Sequence, residues 1–216
     1  MNKRNQAVFL SIILFTTLLS GCQSAYYGAL EKVGIHKRDV LVSRVEKTRD
    51  SQEEAKEQFQ SALEQFKSVV HFDGGELESV YNKLNDEYIA AKEAAEDVTN
   101  RIDNVESVSD ALFDEWEAEL SEYTSASLKR QSQQSLTETK RQYARMIKTM
   151  RRVEKSMQPV LNVFKDQVLF LKHNLNAKAV SSIKNELKGI ETDVSRLIQQ
   201  MNDSIKEAND FIKSME

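Results

Sequence analysis

Between Ile35 and Glu216 the only proline is Pro159 and the only glycines are Gly74, Gly75 and Gly189. A β-sandwich or barrel reverses every 8–12 residues or so and uses Gly, Pro, Asn and Asp to do it. So few turn residues leave long helices as the main regular structure open to this chain. The single cysteine, Cys22, likewise excludes an intrachain disulfide framework and a cysteine zinc cage.

Apolar positions recur in alternating steps of four and three, the period of a helix that buries one seam. Leu41, Val45, Thr48, Gln52, Ala55, Phe59, Ala62, Phe66 and Val69 form the first seam. His71-Phe-Asp-Gly-Gly-Glu76 should end that helix, with Asp73 and Glu76 as a capping box for the next. A second seam runs Leu77, Tyr81, Leu84, Tyr88, Ala91, Ala95, Val98, Ile102 and Val105. Ser107–Asp110 offers another capping box, so a third helix is expected from there, carrying Phe113, Trp116, Leu120 and Tyr123. Between Ser125 and Ser135 the stripe weakens and resumes one phase later at Leu136, Tyr143, Met146, Met150, Val153 and Met157, which reads as a stutter.

Pro159–Leu175 is apolar on more than one face and is expected to be the most buried segment, with a partner surface as the alternative. The next reversal falls either at Pro159, capped by Ser156, or at Asn174–Ala177. The last helix is regular, from Ile183 and Leu187 through Ile190, Val194, Leu197 and Met201 to Met215. The predicted fold is all-α: an elongated antiparallel bundle or coiled coil of four to five long helices over residues 39–216.

The first 21 residues read as a signal peptide. Lys3 and Arg4 precede an apolar run from Ala7 to Leu19, too short to span about 30 Å of hydrocarbon but suited to a signal core. It ends in Leu19-Ser20-Gly21-Cys22, which matches the bacterial lipobox. The Cys22 thiol would receive diacylglycerol and become the first residue after cleavage, with 22–38 as an acylated tether. Tyr26 and Tyr27 suit the headgroup level or packing on the first helix. Gln23, rather than Asp, after the cysteine favours the outer membrane over the inner, with the body facing the periplasm.

Removing Lys3 and Arg4 leaves 28 basic against 34 acidic side chains, a net charge of −6, so bulk charge argues against nucleic acid as a partner. No G-x-x-x-x-G-K-[ST] phosphate loop occurs. His36, His71 and His173 lack second ligands at metal spacing, and Asp114, Glu115, Glu117 and Glu119 diverge around a helix, so no metal, cofactor or catalytic set is expected and the protein reads as a non-enzyme. The charges are nonetheless uneven. Residues 73–122 hold 16 acidic and three basic side chains, whereas 129–155 hold nine basic and two acidic ones. Arg141, Arg145, Lys148, Arg152 and Lys155 step by four, three, four and three, one straight stripe opposite the seam. Either it faces the acidic helices or water, as intramolecular or solvated charge, or it docks an anionic partner: lipid headgroups, cell-wall polymer or an acidic protein.

Val33-Gly-Ile-His-Lys-Arg-Asp39, Phe72-Asp-Gly-Gly75, Leu112-Phe-Asp-Glu-Trp116, Pro159-Val-Leu161 and Asp166–Ala177 together resemble an uncharacterised proteobacterial family known only as a domain of unknown function. The resemblance spans nearly all of the chain after the signal segment and implies a helical, often lipidated envelope protein; it implies no activity and no site residues. The expected role is a scaffold or spacer of the cell envelope, held to the membrane by an N-terminal acyl anchor and binding a protein partner or itself through its helices. The alternative is an accessory lipoprotein that modulates a partner enzyme, transporter or stress sensor.

Overall fold

A computed structural model describes residues 34–71 and 76–215. The signal segment, Cys22, Tyr26, Tyr27 and the Asp73–Gly75 turn residues lie outside the described residues. Four helices account for nearly all of the rest: α1 (Lys37–Val70), α2 (Leu77–Glu119), α3 (Ala126–His173) and α4 (Ala177–Met215). Each packs against two neighbours, in the order α1–α2–α3–α4 and back to α1, which closes a four-helix ring.

The seams read from the sequence are the buried faces, except that Tyr123, expected to continue the third seam, is exposed in the connection between α2 and α3. Leu41, Val45, Ala55, Phe59 and Phe66 of α1 meet Leu84, Ala91, Val98 and Ile102 of α2 and Met146, Met150, Val153 and Phe164 of α3 in one continuous core. The seam of α4 contributes Ile183, Ile190, Val194, Leu197, Met201 and Phe211. Rings tie the layers together. Phe59 stacks on Phe164 at 6.4 Å, and Tyr143 meets Phe113 at 5.4 Å and Phe211 at 6.3 Å, edge to face.

Polar contacts between α1 and α4 show the antiparallel register. Arg49 donates to Asn209, Lys56 to Asn202, and Lys67 pairs with Glu191. As α1 advances by seven and then eleven residues, α4 retreats by the same steps. The start of α1, the α2–α3 turn and the end of α4 therefore share one end of the bundle. The α1–α2 and α3–α4 connections share the other.

Three expectations about boundaries are corrected. Ser107–Asp110 does not start a helix: α2 runs unbroken to Glu119, and Ser109, fully buried, donates back to the Glu106 carbonyl instead of capping. The weak stretch near Ser125 is a true reversal and not a stutter. Leu120–Ser125 leaves the helix, and the Ser125 hydroxyl accepts from the Leu128 backbone N–H as the N-cap of α3. That helix then passes through Pro159 without ending. The main reversal lies at Asn174–Asn176, where the Asn176 side chain accepts from the Ala179 N–H. At the start of α2, Glu76 itself is the N-cap and makes no side-chain cap bond, so it does not stand three residues inside the helix as a capping box requires.

Candidate functional site

The five cations of the α3 stripe, Arg141, Arg145, Lys148, Arg152 and Lys155, are all exposed on the outer face of the bundle. Fourteen residues of helix separate its ends, about 21 Å along the axis. Arg141 is tied to Glu138 one turn back on its own helix. Among the described residues the other four make no ion pair. Arg145 edges a small hollow with Gln142, Glu207 and Asp210 on the α4 side. The stripe therefore does not neutralise the acidic helix.

Two other α3 cations do that, and the sequence pattern did not single them out. Lys140 Nζ lies 2.6 Å from Glu117 Oε1 of α2 and 5.3 Å from the centre of the Phe113 ring. Arg151 reaches across with its whole fork. Its Nε donates to Glu106 Oε1 at 3.1 Å, its Nη2 reaches Glu106 Oε2 and Asp103 Oδ1, and its Nη1 donates to Glu154 at 2.9 Å. Hydrogen bonding to Glu106, which outweighs the cost of partial burial, and then to Asp103 and Glu154 holds this guanidinium above its ordinary pKa. The signal that could have found Arg151 is its place one residue round from the stripe, nearer the seam at Met150.

The α2 carboxylates are only partly compensated. Glu96, Asp103, Asp110, Asp114 and Glu117 step along its outer side by seven, seven, four and three, in the seven-residue period of the α3 stripe, and all five are exposed. Asp103 and Glu117 have the partners just described; Asp110 and Asp114 make no ion pair among the described residues. Partial burial, and then repulsion from Asp114 and Glu106, raises the Asp110 carboxyl above the ordinary carboxylate range. Asp114, Glu115, Glu117 and Glu119 do diverge as expected: Glu115 turns to Lys37 of α1 at 2.8 Å and Glu117 to α3.

Between α2 and α3 a groove of about 760 Å³ opens over Ala95, Met157 and Leu161, rimmed by Tyr88, Lys92, Glu96 and Lys155. Farther along α3, the apolar 159–175 segment is not uniformly buried. Val160, Leu161, Phe164, Val168 and Leu171 face the core, whereas Leu169, Phe170 and Leu175 are exposed near the end of the bundle that holds the α3–α4 reversal. A helix in a four-helix ring covers only one stripe, so the second apolar face has no neighbour to meet.

His36, His71 and His173 sit exposed at helix ends. Among the described residues no group of three or more His, Cys, Asp or Glu side chains could hold a metal ion, and no helix is long and apolar enough to cross a membrane.

The family described as protein of unknown function (DUF2959) matches residues 26–215. The chain belongs to this family. No curated protein and no solved structure matches it. The DUF2959 match takes in all four helices, both charged stripes and the Pro159 segment, so the ring of helices just described is the fold of the matched region.

Proposed function

We propose that this DUF2959 member is a lipid-anchored cell-envelope protein whose helical ring is a non-enzymatic scaffold or spacer that binds another envelope component. The observation that carries the reading is Leu19-Ser20-Gly21-Cys22 standing 15 residues ahead of the first residue of α1. Acylation of Cys22 would hold the bundle to the membrane by one end, through a tether of at most about 50 Å. The 48 residues of α3 would then extend about 70 Å outward. The exposed, unpaired cations of α3 support a binding role for the outer faces in that their charge is left available to an anionic partner. Gln23 favours the periplasmic leaflet of the outer membrane.

The test is metabolic palmitate labelling and membrane fractionation of the wild type and Cys22→Ala. The wild type should carry label, begin at Cys22 and co-fractionate with outer-membrane markers. Cys22→Ala should accumulate as an unlabelled precursor. An unlabelled wild type, or one that begins before residue 22, removes the anchor from the reading.

A further inference from the structure

We infer that the partner of the α3 basic stripe is the α2 acidic stripe of a second copy of this chain, packed alongside in the same orientation. Two interhelical ion pairs fix the relative height of the stripes. Lys140 meets Glu117 near the α2–α3 turn, and Arg151 meets Asp103 and Glu106 farther along. Between these two rungs lie Arg145 and Lys148 on α3 and Asp110 and Asp114 on α2, all exposed and none in an ion pair among the described residues. Opposite charges thus stand at the same height on adjacent helices without meeting inside the molecule, because they point outward in different directions.

Copies anchored in one membrane share their height and orientation, which brings the two stripes face to face without axial slip. For this alignment the inference rests on the anchored reading above. An anionic lipid surface fits less well: the stripe runs along the bundle axis, away from the plane in which an upright bundle is anchored. Exposed ion pairs are individually weak and salt-screened. Confinement of the copies to one membrane raises their effective concentration and lets a short series of such pairs act together. The contact is head-to-tail, one face of each copy against a different face of the next.

The experiment uses the full-length chain in its own membrane. Copies carrying Lys148→Cys and copies carrying Ser107→Cys, a position on the α2 stripe between Asp103 and Asp110, are given different tags, coexpressed and treated with a short bis-maleimide. Adducts joining the two tags should form, and should exceed those between two Lys148→Cys copies or between Lys148→Cys and the exposed α4 control Lys188→Cys. A background without an added cysteine accounts for any reaction at Cys22. Arg145→Glu with Arg152→Glu, or Asp110→Lys with Asp114→Lys, should each reduce the adduct to the control level when all copies carry it. Coexpressing the two reversed variants should restore it, a rescue that misfolded protein would not give. Failure of adducts to form between wild-type charge patterns, or their persistence through both reversals, overturns the inference. So does protection of position 148 from an impermeant maleimide with no adduct between copies, which would assign the stripe to lipid headgroups. Palmitate labelling of the same samples separates the two ideas. Labelled protein without adducts removes the self-contact alone, and adducts between unlabelled copies remove the anchor alone.

Discussion

Arg151 and Glu106 form a two-pronged pair across the α2–α3 interface, with the guanidinium also held by Asp103 and Glu154. Only 26% of the Arg151 side chain is exposed, so water does not replace this fork when it is cut. Arg151→Ala should destabilise the bundle by about 1–3 kcal/mol in chemical denaturation. Arg152→Ala, one residue on and pointing outward, should change stability by less than about 0.5 kcal/mol. Arg151→Lys should recover only part of the loss, because an ammonium cannot reproduce the planar fork.

The apolar end of α3 supplies a second contrast. Phe164 is 1% exposed and stacks on Phe59, whereas Phe170 is 38% exposed. Phe164→Ala should cost about 3–5 kcal/mol and lower the melting temperature sharply. Phe170→Ala should leave it within a degree or two of wild type and reduce retention on a phenyl column.

Burial between Phe113 and Phe211 pushes the Tyr143 hydroxyl up from 10 to about 12. The folded protein therefore keeps this proton after the unfolded chain has lost it. Stability should be insensitive to this group below pH 10 and fall between pH 10 and 12, by up to about 2 kcal/mol. Tyr143→Phe removes that part of the slope. Denaturation curves of both proteins at a series of alkaline pH values measure the difference, which cancels the lysines common to both.

Gln52 occupies a seam position of α1, fully buried, and neither its amide oxygen nor its nitrogen meets a hydrogen-bond partner among the described residues. The Ser204 hydroxyl on α4, less than a turn away by the Arg49–Asn209 and Lys56–Asn202 register, is in the same condition. Gln52→Leu should raise stability by about 1–2 kcal/mol, because a buried amide without a partner costs more than an alkyl group of similar size. Fluorescence-monitored unfolding in guanidinium would show the midpoint moving upward.

Periodicity made the buried faces of all four helices legible, since a residue every 3.5 positions can be inside only if its helix lies against neighbours. Boundaries were harder to read where the chemistry is local and ambiguous. Ser107 and Asp110 have the spacing of a capping box, but a serine in mid-helix can equally donate back to a carbonyl, as Ser109 does to Glu106. The real reversal at Leu120–Ser125 contains neither glycine nor proline and depends on one serine N-cap, too small a signal to stand out among the polar residues around it. The charged stripe was legible as a pattern. Which of the adjacent Arg151 and Arg152 leans toward α2 depends on the rotation of α3 in the ring, and that is fixed only once its neighbours are packed.

The ring order has a mechanical consequence. Because α1 is flanked by both α2 and α4, a pull on its N-terminus along the bundle axis strains the contacts of Leu41, Val45, Phe59 and Phe66 simultaneously, in shear. Tension applied at the α3–α4 turn across the axis would instead peel one layer after another, starting at Leu171. The molecule should bear load well in the lengthwise direction and poorly in the transverse one, as a rope fibre does.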